Sequence, residues 1–231
     1  MNRGKFAVIG LGQFGRAIAK SLAKKGADVL AIDTDPEVVN DISDHVAYAV
    51  VMDGSDKKAL LANDINDFDA VIVAIGSDFQ QLLMCIVVLM ELQVPRIMAR
   101  ATGKNSRLIL EKMGVKEILS PEDEVGVIVA ERLSNPSLVS YLQFPDEYRV
   151  AEIKTPPNLV GRTIEEINSR DKYNLSLITI KGEDEGTTSG GKRQGHHIKG
   201  VPVSSTVVHE NDFLIVFGKD KDIQKFIEIN Q

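Results

Sequence analysis

Residues 6–15 read FAVIGLGQFG, an apolar run that breaks into the pattern Gly-x-Gly-x-x-Gly and continues into a helical segment. We expect a buried strand to end at Ile9, after which Gly10 makes a tight turn and Gly12 allows the backbone to approach a phosphate. Gly15 would let the helix pack close to the sheet, and the N–H groups of its first turn would face the anion. The pattern predicts a nucleotide site.

A second apolar run, residues 28–32, ends in Asp33, close to the roughly 20 residues after the glycines at which a ribose-binding acid is expected. A carboxylate there accepts hydrogen bonds from the ribose hydroxyls and repels a 2′-phosphate. The chain is therefore predicted to bind NAD, ATP, ADP or AMP rather than NADP. Capping of the helix that begins near Asp35 is a compatible alternative for Asp33.

The composition is that of a soluble globular protein, with 231 residues, 43% hydrophobic and 26% charged. A net charge of −6 without a basic stripe argues against a nucleic-acid partner. The single cysteine, Cys85, excludes an intramolecular disulfide and fits a reducing cytoplasm. No signal peptide is apparent, and the longest apolar run, residues 82–90, falls short of the roughly 20 residues that span a bilayer. Any membrane role is thus expected to come through a partner.

Further strands are predicted at residues 45–51, 68–76, 97–100 and 117–119, alternating with helices. This rhythm predicts the α/β class, with a Rossmann-like doubly wound parallel sheet. The carboxyl ends of its strands meet at one edge, where ligands bind. The residues predicted to bind the nucleotide there are Gly10, Gly12, Gln13, Phe14, Gly15, Asp33, Thr34, Asp53, Ile75, Gly76 and Arg100. For Asp53 and Arg100, turn formation or surface solvation is an equal alternative.

The helix predicted over residues 79–92 is apolar on all sides. A helix packed only on its own sheet would have a polar outer face, so we expect this one to form a subunit interface as well as a core contact. Burial inside one larger monomer is the alternative.

A proline-containing break near Pro136 is predicted to separate the domains. We expect a nucleotide-binding domain at 1–135, a helical connector at 136–147 and a small α+β domain at 148–231. A capping box is predicted at Thr163–Glu166. The glycine-rich residues 182–200 are predicted to form a long mobile hairpin loop. His196 and His197 seldom suffice for a metal site, because adjacent histidines rarely supply a full ligand set.

Five motifs in order resemble the cytoplasmic regulatory subunits of Trk/Ktr-type potassium uptake systems, the TrkA family with RCK domains. They are FAVIGLGQFG at 6–15, VLAIDTD at 29–35, VIVAIGSD at 71–78, SPEDEVG at 120–126 and DEYRVAEI at 146–153. The resemblance covers the whole chain. It implies a homodimer that assembles into an octameric ring at the inner face of the membrane, beneath a potassium transporter or channel. ATP, ADP or NAD(H) would hold the ring in different shapes.

The resemblance also implies roles for individual residues. Glu122 matches an acid that helps Mg²⁺ or Ca²⁺ to sit beside the nucleotide phosphates, although helix capping explains it equally well. Gln13 stands where many relatives have an arginine that reaches the terminal phosphate, which leaves discrimination between ATP and ADP open. In the C-terminal domain, Arg170 and Pro202 match positions that bind cyclic di-AMP in some relatives, whereas Ser176 replaces an expected asparagine.

The predicted function is therefore non-enzymatic: a nucleotide binds one ring conformation better and shifts the attached pore with it. The alternative is an NAD-dependent oxidoreductase or a redox-sensing nucleotide-binding protein. An oxidoreductase needs a proton donor beside the nicotinamide, and none of the four histidines lies at an obvious strand end. The sequence does not distinguish a potassium transporter from another cation channel or antiporter as the partner.

Overall fold

The computed structural model describes residues 4–183 and 196–231. Internal contacts divide the chain into two units, Met1–Val125 and Gly126–Gln231. The first unit alternates strands with helices, as predicted. Its elements are β1 (Lys5–Ile9), α1 (Gln13–Lys24), β2 (Asp28–Asp33), α2 (Pro36–Ser43), β3 (Tyr48–Val51), α3 (Lys57–Ala62), a 3₁₀ turn (Ile65–Asp67), β4 (Ala70–Val73), α4 (Phe79–Glu91), β5 (Ile97–Arg100), α5 (Lys104–Met113), β6 (Glu117–Leu119) and the start of α6 (Pro121–Ser134).

The six strands form one parallel sheet in the order β3-β2-β1-β4-β5-β6. Successive residues of a strand enter opposite cores: Ala7 and Ile9 pack on the side of α4, whereas Val8 packs on the side of α1 and α2. A sheet covered on both faces requires strands that are apolar throughout, which is the pattern read from the sequence. The Rossmann-like α/β prediction is confirmed.

Two predicted strands are shorter than expected. The strand predicted at 45–51 begins only at Tyr48, because the backbone N–H of His45 bonds to the carbonyl of Ile42 and continues the end of α2. The strand predicted at 68–76 ends at Val73. Ala74 still donates to the carbonyl of Ile9, the last residue of β1, so no neighbouring strand remains to pair with residues 75 and 76.

Helix α4 buries one face against the sheet through Leu82, Cys85, Ile86 and Leu89. Apolar side chains also cover its other side, where Met84 is 49% exposed and Val87 is 38% exposed in the single chain. The subunit interface predicted for this helix stays a prediction.

Cys85 is fully buried, and burial raises the pKa of its thiol from 9.0 to about 12. We expect no reaction of the native protein with a thiol reagent at pH 8, and one thiol per chain to react in denaturant. The unfolded chain loses this proton above about pH 9 while the folded chain keeps it, so the free energy of unfolding should fall as pH rises from 9 towards 12. Rapid labelling of the native protein would contradict this burial.

The second unit is built around an antiparallel sheet in the order β10-β9-β11-β8-β7. It confirms the α+β prediction. The capping box is present, since Thr163 accepts from the backbone of Glu166 while the Glu166 carboxylate accepts from the backbone of Thr163. The remaining elements are β7 (Leu138–Gln143), β8 (Tyr148–Lys154), a 3₁₀ turn (Pro157–Leu159), α7 (Ile164–Ile167), α8 (Ser169–Tyr173), β9 (Ser176–Glu183), β10 (His196–Ile198), β11 (Phe213–Lys219) and α9 (Asp220–Asn230).

The segment 136–147 was predicted to be a helical connector, and that prediction is wrong. It contains β7, which pairs antiparallel with β8. Asp146 and Glu147 both adopt positive φ, at 59° and 64°, which is the backbone conformation that a tight hairpin turn requires. The local turn therefore folds this segment back as an edge strand.

Most of the loop predicted at 182–200 lies outside the described residues, since 184–195 are not described. Its two ends are strands rather than loop, because β9 extends to Glu183 and pairs antiparallel with β10. Across the described part of the chain, no helix combines the length and the apolar character needed to cross a bilayer.

Candidate functional site

A cavity of about 450 Å³ lies at the carboxyl ends of the parallel strands. Seven of the eleven predicted nucleotide-binding residues line it, namely Gly10, Gly12, Asp33, Thr34, Ile75, Gly76 and Arg100. Six more lining residues were not predicted, namely Ile9, Met52, Gly54, Ala74, Ser77 and Gln81. The switch in strand order between β1 and β4 places this crevice where open parallel sheets bind their ligands.

The three glycines of the motif differ in the structural reason for which a side chain would be unfavourable. Gly10 has a φ of 90°, a conformation that side chains rarely adopt. A Cβ atom at Gly15 would lie 1.9 Å from the carbonyl oxygen of Gly10, so this glycine allows α1 to pack against the end of β1. A Cβ atom at Gly12 would meet no protein atom within 4 Å, and its φ is an ordinary −60°. Nothing in the described protein requires glycine there, whereas a ligand backed against the loop would.

Asp33 ends β2, and its carboxylate holds the glycine loop in place. It accepts from the backbone N–H of Leu11 at 2.6 Å and from that of Asp35 at 3.0 Å. A carboxylate has about four acceptor sites, so capacity remains for the hydroxyls of a ribose. The capping alternative belongs to Asp35, whose side chain accepts from Glu37 at the start of α2.

Helix α1 points its N-terminus at the cavity with no neutralising group in its first turn. Its N-cap residue is Gly12, which has no side chain, and the first turn contains no acid. The unpaired N–H groups of such a turn attract an anion. Gln13 is exposed and Phe14 is half-buried, and neither lines the cavity.

Asp53 also stays out of the cavity lining. Its carboxylate accepts from the backbone N–H of Ser55 at 2.8 Å and from the Ser55 hydroxyl at 2.7 Å. The Ser55 backbone bond is the main reason that the pKa of Asp53 lies below its ordinary value. Its neighbours Met52 and Gly54 line the cavity instead, so Asp53 shapes the turn that presents them. The sequence signal that could have placed Met52 and Gly54 in the cavity lining is their position just after β3.

Arg100, the last residue of β5, is held by three neighbours. Its guanidinium lies over Gly76, where a Cβ atom would come within 2.7 Å of Nη1. Its Cζ is 5.4 Å from the centroid of the Phe14 ring, and its Nη2 is paired with the carboxylate of Glu122. Arg100 Nε is buried and finds no hydrogen-bond acceptor among the described residues.

Glu122 lies in the first turn of α6, and its pKa is held below the ordinary value. Its own backbone N–H is the largest cause, and the guanidinium of Arg100 is the second. Within the described residues, no group of three or more His, Cys, Asp or Glu side chains could hold a metal ion. In this part of the chain the Glu122 carboxylate is paired with the guanidinium of Arg100.

Only one of the two residues predicted to bind a second effector lines a described pocket. Arg170 lines a shallow pocket of about 200 Å³ in the second unit, together with Ser176 and Asn168. Pro202 follows β10 and does not line that pocket.

The comparison with known proteins agrees with this geometry. Residues 6–121 match the model of the TrkA-N domain. The Ktr system potassium uptake protein A of Bacillus subtilis (strain 168) is 33% identical over 222 residues, which cover 96% of this chain and 95% of that protein.

Two solved structures of GsuK are also similar. The structure of the GsuK channel bound to NAD matches 99% of this chain with a TM-score of 0.61 at 15% identity, and this chain covers 39% of it. The crystal structure of GsuK bound to ADP matches 58% of this chain with a TM-score of 0.50 at 25% identity, and 34% of that chain is covered. Because the domain model spans half of the chain and the Bacillus protein aligns along nearly all of it, the chain belongs to the TrkA-N family of Ktr potassium uptake proteins.

Proposed function

We propose that this protein is a cytoplasmic, nucleotide-binding regulatory subunit that gates a membrane potassium transporter or channel. One observation carries the proposal: a cavity at the carboxyl ends of the sheet joins an open glycine at Gly12, an uncapped helix N-terminus and the carboxylate of Asp33. The alignment with a Ktr potassium uptake protein along almost the whole chain supports the transport role.

The ligand that fits the cavity is an adenine nucleotide without a 2′-phosphate. Asp33 offers a negative carboxylate where the ribose hydroxyls would lie, and α1 offers N–H groups where phosphates would lie. ADP and NAD are the ligands in the two GsuK structures, and both carry an adenosine ribose joined to phosphates.

Gating would follow from a difference in affinity. A nucleotide that binds one conformation of the assembled subunits more tightly shifts the population towards that conformation and towards the pore state coupled to it. We propose that the subunits form homodimers that assemble into an octameric ring, and that the conformation of this ring is coupled to the state of the pore. Exposed apolar side chains support such an assembly, including Met84 on α4 and Val127 and Leu133 on α6.

Replacing Asp33 by asparagine tests the ligand. The change keeps one acceptor oxygen for the backbone of Leu11 but removes the charge that binds ribose hydroxyls. We expect the affinity for ADP to fall at least about tenfold, measured by titration calorimetry, because hydrogen bonds to a charged group contribute about 1.5–3 kcal/mol. Asp35→Asn is the matched control, since asparagine also caps helices and affinity should be unchanged. Equal affinity of Asp33→Asn and wild type would overturn the ribose assignment.

The gating role needs a separate experiment. The purified protein would be added to proteoliposomes that contain the membrane subunit of a Ktr system, and potassium flux would be recorded with ATP, ADP and NADH. Flux that depends on both the protein and the nucleotide supports the proposal. Binding confined to NADH, with no effect on flux, would favour the redox-sensing or oxidoreductase alternative.

Two further ligands are proposals that the resemblance implies. A divalent cation, Mg²⁺ or Ca²⁺, would need nucleotide phosphates and a second chain to complete a site around Glu122, because the described residues contain no cluster of three or more ligating side chains. Cyclic di-AMP would bind the second unit beside Arg170, with Pro202 placed outside the shallow pocket of the single chain.

A further inference from the structure

One basic side chain, that of Arg100, lines the proposed nucleotide cavity. Among the described residues that line it, Arg100 is the only basic side chain and Asp33 the only acidic one. Gln13, the first residue of α1, is neutral and exposed and does not line the cavity. The positive groups that this cavity offers to the phosphates of a nucleotide are therefore Arg100 and the N-terminus of α1.

The guanidinium of Arg100 is held by its neighbours, but not all of its hydrogen-bond donors have an acceptor. Its side chain is only 19% exposed, and its guanidinium lies against the Phe14 ring and over Gly76. Nε is buried without an acceptor in the described structure, although a guanidinium offers five N–H donors. A buried donor without a partner is unusual in a native protein and points to a ligand that supplies the acceptor.

Glu122 is the acid that pairs with the Arg100 guanidinium, and it would compete only weakly with a phosphate. Its side chain is 61% exposed, so water screens the attraction from the Glu122 side. A phosphate carries more negative charge and more acceptor oxygens, and arginine binds it through parallel hydrogen bonds. The start of α6 also favours an unpaired acid, because the helix dipole is positive there.

We propose that the Arg100 guanidinium binds the phosphates of the nucleotide and makes affinity depend on their charge. The Glu122 carboxylate competes with these phosphates for Arg100. This inference rests on the proposed function, because it requires a nucleotide in the cavity. The competition makes Arg100 the specificity-determining residue for phosphate number. It also couples occupancy to α6, the helix within which the boundary between the two units falls.

The test is a calorimetric titration in EDTA, so that no divalent cation contributes. ATP, ADP and adenosine are titrated into wild type, Glu122→Gln, Arg100→Gln and the double variant. We expect Glu122→Gln to bind ATP about threefold more tightly, because the competitor is gone. Arg100→Gln should bind ATP about tenfold more weakly and adenosine unchanged. The double variant should match Arg100→Gln, since Glu122 acts only through Arg100.

Glu124→Gln is the matched control, an exposed acid in the same helical turn, and should leave the affinity for ATP unchanged. An unchanged or weaker affinity of Glu122→Gln in EDTA overturns the competition. So does a double variant in which the two effects simply add. If instead wild type binds none of these ligands, or Asp33→Asn binds them as well as wild type, the proposed function itself has failed.

Discussion

Replacing Gly15 by alanine is expected to lower the free energy of unfolding of the first unit by about 2 kcal/mol. The new Cβ atom would lie 1.9 Å from the carbonyl oxygen of Gly10 and 3.2 Å from the Cβ of Ala74. The first contact is with backbone, so relief requires α1 to move away from the end of β1. Overpacking of this kind costs roughly 1–3 kcal/mol or more, which exceeds the gain of up to about 1 kcal/mol from replacing a helical glycine.

Urea unfolding followed by hydrogen–deuterium exchange would measure this, since exchange in β1 and β8 reports on the two units separately. Gly126→Ala is the matched control, a glycine within α6 whose new Cβ atom would meet nothing within 4 Å. That variant should be as stable as wild type or slightly more stable. A Gly15→Ala protein with wild-type stability would mean that α1 does not pack on the glycine turn as described.

Replacing Arg149 by methionine is expected to destabilise the second unit by about 3 kcal/mol. The Arg149 side chain is only 7% exposed, and it joins Glu131 of α6 at 2.9 Å to Asp220 of α9 at 3.1 Å. Its guanidinium also lies 4.9 Å from the ring centroid of Tyr141. Removing one member of a buried ion pair costs roughly 3–5 kcal/mol, because the remaining charge is desolvated without a partner. Partial exposure of both acids places the expected value at the lower end.

Arg96→Met provides the comparison, because Arg96 and Glu117 form a bidentate pair with both bonds at 2.6 Å. The side chains of this pair are 52% and 37% exposed, so solvent screens the attraction even though Arg96 lowers the pKa of Glu117. We expect no measurable change in thermal stability for Arg96→Met. Equal losses for the two variants would show that burial does not decide the strength of these pairs.

Much of the candidate site could be predicted because it depends on local signals. The glycine pattern follows an apolar run, and Asp33 ends the next one, so both were expected at the same edge of a parallel sheet. The capping box at Thr163 could likewise be predicted from the sequence, since it joins residues three positions apart. The hairpin that contains β7 was missed because its turn places Glu147 at positive φ beside Asp146, a conformation that glutamate seldom adopts.

Other properties of the site depend on residues that meet only through tertiary contacts. The sequence alone determined the fold class, the sheet edge at which the cavity lies and the acid, Asp33, that lines it, because strand ends and turns are local and parallel connections bring those ends together. Only the tertiary structure distinguished Gly12, which faces open space, from Gly15, which faces a backbone carbonyl. It alone paired Arg100 with Glu122, 22 residues apart, because side-chain distance across a sheet edge depends on packing and not on sequence separation.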